Sequence, residues 1–134
     1  SNGVAVAEVS SFQLETINTF HPKISAILNI TPDHLNRHKT MENYIDAKCQ
    51  IYKNQLEDEY IILNENDTYF EDIKERVKGK VITFNTEKMV ACGAYVKNNI
   101  ISTKPNHPNN LKLIAQGNIN IISTSNKINN NAVR

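Results

Sequence analysis

The stretch Ile24-Ser25-Ala26-Ile27-Leu28-Asn29-Ile30-Thr31-Pro32-Asp33 decides the fold, because a short apolar run passes directly into a helix signal. An apolar run of this length is typical of a strand that is buried in a sheet. Thr31 is a good capping residue, Pro32 suits the first helical position, and Asp33 is an acid in the first turn. The stretch therefore predicts a strand that is followed at once by a helix.

The same pattern occurs earlier in the chain. Residues 4–9 are apolar apart from Glu8, and they predict a buried strand. Ser10 caps a helix that we expect at residues 11–18, and Gln13 stands three residues after Ser10, as in a capping box. Two consecutive strand-to-helix units are therefore predicted.

Strands and helices continue to alternate downstream. The predicted elements are a helix from Met41 to about Gln55, strands at 60–63 and 81–84 and, between these strands, a helix opened by Asp67-Thr68. This alternation predicts an α/β fold with a mainly parallel sheet flanked by helices. Strand-like runs at 90–96 and 100–103 predict a small β addition after residue 85.

The composition suits one soluble domain. The 134 residues are about the size of an ordinary domain, and 15 Lys and Arg residues nearly balance 14 Asp and Glu residues. This balance argues against nucleic acid or an anionic membrane as a partner. No apolar stretch approaches the roughly 18 residues of a membrane helix, and the two cysteines suit a reducing compartment, so we expect a cytoplasmic location. Asparagine-rich residues 117–134 predict a divergent or disordered tail after a domain at 1–116.

Lys48 is the most informative single residue, because it lies on the apolar side of its predicted helix. The residues three and four positions away are Tyr44, Ile45, Ile51 and Tyr52. The stem of Lys48 could simply pack there while its ammonium reaches water. If the amine is buried instead, its pKa falls, and the neutral amine can act as a base or take up carbon dioxide as a carbamate. Carbamate oxygens would then be available to bind magnesium.

Glu8 and His34 follow two predicted strands, where α/β sheets bind their ligands. Glu8 ends an otherwise buried run and is a candidate metal ligand, although a solvated acid at a strand end has equal weight. His34 is predicted in the first turn of a helix, where backbone amides favour phosphate, although a lone histidine is more often structural or exposed. Zinc bound by His34 and His38 is disfavoured, because Leu35 replaces the glutamate of HExxH.

Two further features concern substrate and nucleotide binding. Ser10 and Gln13 need no function beyond capping, yet a cap at the end of a strand can also contact a substrate. The phosphate-binding pattern GxxxxGK(S/T) cannot be formed from the glycines, which are Gly3, Gly79, Gly93 and Gly117. Because the chain also starts abruptly on an apolar run, we expect part of a larger protein that does not wrap a triphosphate by itself.

Three segments, taken in order, resemble the central, ATP-using domain of the Mur ligases. They are residues 8–15 (EVSSFQLE), 27–38 (ILNITPDHLNRH) and 44–48 (YIDAK). The second and third are also similar to segments of folylpolyglutamate synthetases, whereas the first resembles the Mur ligases that add D-glutamate. The resemblance covers about residues 4–84 and implies a P-loop-type fold, here without its P-loop strand.

This resemblance implies roles for five residues. Lys48 and His34 would be catalytic, and Lys48 would be carbamylated. Glu8, His34 and the carbamylated Lys48 would hold Mg²⁺. Ser10 would contact the muramoyl-alanine substrate, and Gln13 would support the same wall of the site.

The implied reaction adds D-glutamate to UDP-N-acetylmuramoyl-L-alanine in peptidoglycan precursor synthesis. ATP phosphorylates the substrate carboxylate to an acyl phosphate, which the amine of D-glutamate then attacks. A faint match places Asn120 at an adenine-binding position, although Ile119 replaces the histidine of the family. We expect a monomeric full-length enzyme and an inactive isolated chain. The alternatives are a non-catalytic remnant or binding module of the same fold, or a ligase of this family with another substrate.

Overall fold

The computed structural model describes residues 3–98 and 100–104, which contain one five-stranded sheet. Its strands are β1 (Ile24–Ile27), β2 (Tyr60–Asn64), β3 (Lys80–Asn85), β4 (Gly93–Lys97) and β5 (Ile100–Lys104). They lie side by side in chain order, the first four parallel and β5 antiparallel to β4. The predicted α/β fold, with a mainly parallel sheet and a small β addition, is confirmed.

Short helices precede β1 and connect β1 to β2 and β2 to β3. They are α1 (Ser11–Leu14), α2 (Leu35–His38), α3 (Met41–Cys49) and α4 (Phe70–Glu75), with a 3-10 turn at Gln50–Tyr52 directly after α3. The apolar side of α3 faces the core, where Tyr44 and Ile45 are buried together with Ile61 and Leu63 of β2. In the part of the chain that the structure describes, no helix is long and apolar enough to cross a membrane.

A histidine–glutamate contact joins the loops that lead into β1 and β2, at the amino-terminal edge of the sheet. His21 Nε2 lies 2.6 Å from Glu59 Oε2, and the same oxygen accepts a hydrogen bond of 2.8 Å from the Leu56 amide. The Leu56 amide, followed by His21, lowers the pKa of the Glu59 carboxyl. This contact lies at the opposite end of the strands from the carboxyl edge, where parallel sheets bind their ligands.

The predicted strand at residues 4–9 is wrong. Residues 3–10 have no regular secondary structure, and Val4 and Val6 are 92% and 94% exposed. A strand requires a hydrogen-bonded neighbour, and β1, at the edge of the sheet, pairs only with β2 among the described residues. The apolar pattern was correct for a strand, but nothing in the described structure pairs with it.

The predicted helix start at Thr31 is also wrong. Helix α2 begins at Leu35, and its N-cap is His34, not a residue in the first turn. The backbone of His34 has a φ of 52°, in the left-handed region that histidine enters more readily than most residues. Residues 31–33 therefore form an irregular loop that leads from β1 to the start of α2.

Candidate functional site

Hydrogen bonds join the loops that follow β1 and β2 at the carboxyl edge of the sheet. The Asn64 side chain, at the end of β2, donates to the Leu28 carbonyl at 3.1 Å. The Asp67 carboxylate accepts hydrogen bonds from the Ile30 amide and from the Tyr69 amide, the latter at 3.0 Å. Asp67 is thereby held against the loop after β1, at the edge where α/β sheets bind ligands.

Lys48 of α3 interacts electrostatically with Asp67 and with Asp33 of the loop after β1. The Lys48 side chain is half-buried, and its Nζ lies 5.3 Å from the centroid of the Tyr44 ring. Burial lowers the pKa of the Lys48 ammonium, while the charges of Asp33 and Asp67 oppose that shift. Burial, followed by the charge of Asp33, raises the pKa of the Tyr44 phenol. The pKa of Lys48 is lowered overall, so a larger fraction of its amine is neutral at a given pH than for a lysine in water.

The lowered pKa predicts that Lys48 carries a reactive neutral amine at lower pH than an ordinary lysine does. Acetic anhydride reacts with the neutral amine alone, so the midpoint of the Lys48 acylation curve should lie below the average of the other lysines. Brief labelling at a series of pH values from about pH 7 to about pH 12, followed by mass spectrometry of the peptides, measures these midpoints. A Lys48 midpoint at or above the lysine average contradicts the shift.

His34 lies at the same edge of the sheet, beside Asp33. Its side chain is half exposed, its Nε2 is 3.4 Å from Asp33 Oδ2, and its backbone amide donates to Asp33 Oδ1 at 2.8 Å. The His34 ring also packs against Phe12 of α1, with the ring centroids 4.8 Å apart. Asp33 therefore contacts His34 directly and acts on Lys48 through its charge, which links two of the predicted site residues.

Glu8 is not drawn into this cluster. It is exposed and lies in the irregular segment 3–10. Among residues 3–98 and 100–104, no group of three or more His, Cys, Asp or Glu side chains is arranged to hold a metal ion. The structure thus brings His34 and Lys48 to one edge of the sheet, and the Glu8 carboxylate forms no metal-binding group with His34 among the described residues.

Ser10 and Gln13 form the predicted capping box at the start of α1. The Ser10 amide donates to Gln13 Oε1 at 2.9 Å, and the Gln13 amide donates to Ser10 Oγ at 3.3 Å. Capping accounts for these hydrogen bonds, so substrate contact by either residue stays a prediction. Asn120 lies outside the described residues.

Two acids of the site, Asp33 and Asp67, were not predicted as functional residues. The sequence pattern assigned both to the beginnings of helices, where an acid needs no further role. A signal was nevertheless present, because each follows the carboxyl end of an apolar strand by only a few residues. In a parallel sheet such positions converge on one edge.

The chain matches the Mur ligase middle domain family over residues 2–130. It is 56% identical over 96 residues to the UDP-N-acetylmuramoylalanine–D-glutamate ligase of Caldanaerobacter subterraneus subsp. tengcongensis, covering 72% of this chain and 21% of that protein. It is 51% identical over 98 residues to the ligase of the same name from Clostridioides difficile, covering 73% of this chain and 22% of that protein. The chain therefore spans about one fifth of the length of these relatives.

A solved structure with partial similarity is crystal structure II of MurF from Acinetobacter baumannii. The two chains are 24% identical with a TM-score of 0.46, over 57% of this chain and 16% of that one.

Proposed function

The chain belongs to the Mur ligase family, in the region of its middle domain, and on that premise we propose that it is part of an ATP-dependent ligase of the MurD type. The complete enzyme would add D-glutamate to UDP-N-acetylmuramoyl-L-alanine in the synthesis of peptidoglycan precursors. The observation that carries this proposal is the half-buried Lys48, whose pKa is lowered at the carboxyl edge of a parallel sheet. The names of relatives at 51% and 56% identity support D-glutamate as the added amino acid.

The proposed role of Lys48 begins with its carbamylation. The neutral Nζ would form a bond to the carbon of carbon dioxide. The electron pair of one C=O π bond would move to its oxygen, which becomes the negatively charged carbamate oxygen, and the nitrogen would release a proton to solvent. Burial increases the supply of the reacting form, because it raises the fraction of Lys48 that is neutral. The product carries a negative charge in place of the positive charge of the ammonium.

That exchange of charge would place an anion near Asp33 and Asp67, both of which act on Lys48 electrostatically. Three negative groups at one edge repel one another unless a cation lies among them. A divalent cation bound by oxygen ligands, such as Mg²⁺, would remove this repulsion, and it would also neutralise charge on the phosphates of ATP. The electrostatics therefore favour a magnesium site after Lys48 is carbamylated.

The described residues fit such a site in part. His34 and Lys48 lie at the same edge, whereas Glu8 lies in the exposed segment 3–10. We propose that Glu8 completes the ligand set in the full-length ligase, where segment 3–10 would pair with a neighbouring strand. Ser10 and Gln13 lie two and five residues after Glu8, so the same change would orient them towards the muramoyl-alanine substrate.

The remaining features of the proposal concern the whole protein. We propose a cytoplasmic, monomeric enzyme and a nucleotide contact at Asn120. We also propose that residues 1–116 belong to the middle domain and that residues 117–134 form a divergent tail. The family match extends to residue 130, and residues 105–134 lie outside the described part of the chain.

Ligation by the full-length protein that contains this sequence tests the proposal. ATP, Mg²⁺, UDP-N-acetylmuramoyl-L-alanine and radiolabelled D-glutamate should together yield labelled nucleotide product and free phosphate, with omission of any one component as the control. Incorporation of a different amino acid, or glutamate addition to a folate, would identify a ligase with another substrate. A folded full-length protein that ligates none of these would indicate the non-catalytic remnant.

A further inference from the structure

His38 is a buried histidine whose two ring nitrogens both have polar partners. Its side chain is 2% exposed, its Nδ1 lies 3.1 Å from Glu15 Oε1, and its Nε2 lies 3.1 Å from Ser11 Oγ. Since a carboxylate only accepts hydrogen bonds, Nδ1 donates to Glu15 when the ring is neutral, and Nε2 accepts from the Ser11 hydroxyl. Both partners lie earlier in the chain than His38. Ser11, for example, precedes it by 27 residues.

Aromatic contacts hold the same ring in place. The His38 ring stacks on Phe12 with the centroids 5.5 Å apart and the planes 7° from parallel, and it meets Tyr44 of α3 at 5.2 Å. Phe12 in turn contacts His34. A buried ring with two hydrogen bonds and two aromatic neighbours has one orientation available to it, because any rotation would leave polar nitrogens unpaired.

The contacts of His38 join two elements that carry candidate site residues. Helix α1 begins at the Ser10–Gln13 capping box, and α2 begins directly after His34. Arg37, next to His38, strengthens the same junction, because its guanidinium bonds Glu15 Oε2 at 2.9 Å and lies 4.8 Å from the Phe12 ring centroid. Three residues of the segment EVSSFQLE, namely Ser11, Phe12 and Glu15, are therefore used to contact α2.

We propose that His38 is a positioning residue, which holds the capping-box end of α1 at a set distance from His34 and Lys48. The inference rests on the proposed function, because it concerns the reaction at that edge of the sheet. His38 would not touch substrate or metal. It would act through Ser11 and Glu15 on one side and through Tyr44, which lies under the Lys48 ammonium, on the other.

Steady-state kinetics of the full-length ligase test this role. The variant His38→Phe keeps an aromatic ring and removes both hydrogen bonds, and we expect it to lower kcat by about tenfold or more. The Mg²⁺ concentration that gives the half-maximal rate should also rise severalfold. The reason is that α2, which follows His34, and α1, which carries the capping box, would no longer be held together. His38→Gln, which keeps one polar group, should recover part of the loss. Ser11→Ala removes one of the two hydrogen bonds of His38 with little change in volume. If His38→Phe does not fold, Ser11→Ala replaces it as the test variant, with the same direction of change expected in kcat and in Mg²⁺ dependence.

The matched control is His21→Gln, which disrupts the other histidine–glutamate contact, at the amino-terminal edge of the sheet. It should lower the thermal stability and leave kcat and the Mg²⁺ dependence as in the wild type. If folded His38 and Ser11 variants lose stability alone and keep wild-type kcat and Mg²⁺ dependence, the positioning role is overturned while the ligase assignment stands. If the wild-type protein itself ligates nothing, the proposed function fails, and this inference fails with it.

Discussion

The variant Lys48→Ala of the proposed full-length ligase is expected to lose about a thousandfold or more of its activity, with little change in thermal stability. A charged group that stabilises a transferring phosphoryl group contributes effects of about this size. Stability should hardly change, because Lys48 is half-buried, makes one cation–π contact with Tyr44, and occupies a helix position where alanine is favourable. Ligation of D-glutamate at saturating ATP and Mg²⁺ measures the loss.

Chemical rescue distinguishes a carbamate from an ammonium at this position. A short carboxylate such as formate or acetate should restore part of the activity of Lys48→Ala, because it can supply oxygens in place of those of the proposed carbamate. Lys48→Arg keeps the positive charge and cannot form the carbamate, so it should be as inactive as the alanine variant. An active Lys48→Arg enzyme would show that the cation, and not the carbamate, matters. Full activity of Lys48→Ala would remove Lys48 from the mechanism.

The variant Gly93→Ala is expected to unfold the sheet around β3 and β4, at a cost of about 4 kcal/mol or more. Gly93 pairs with Thr83, and a Cβ added to it would lie 1.7 Å from the Thr83 carbonyl oxygen. Its φ of 137° is also one that residues with side chains rarely adopt. Since a domain of this size is stabilised by about 5–15 kcal/mol, the variant should lose much of its soluble, folded fraction. Urea unfolding of the full-length protein, followed by circular dichroism, measures the change.

Gly79 provides a graded control for this prediction. A Cβ at Gly79 would lie 2.8 Å from the Glu59 carbonyl oxygen, so Gly79→Ala should destabilise the protein less than Gly93→Ala. A Gly93→Ala protein that is as stable as the wild type, or more stable than Gly79→Ala, would contradict the described pairing of β3 with β4.

The sequence alone determined the fold class and most of the sheet. Strands β1, β2 and β3 and the antiparallel pair β4 and β5 lie close to the apolar and strand-like runs that predicted them, and the capping box at Ser10 formed as expected. These features depend on residues that are near neighbours in the chain, so local periodicity is sufficient to identify them. The position of Lys48 on the apolar side of α3 follows from the same periodicity.

The tertiary structure alone decided which residues meet. Asp67, in the loop after β2, comes near Lys48 only because α3 packs against the sheet. His38 bonds Ser11 and Glu15 only because α1 and α2 pack together. Likewise, residues 4–9 have an apolar strand pattern and are not a strand, because strand formation needs a neighbouring strand that local sequence does not specify. Local pattern determines the elements, whereas contacts between residues distant in the chain determine the site, since they depend on how those elements pack.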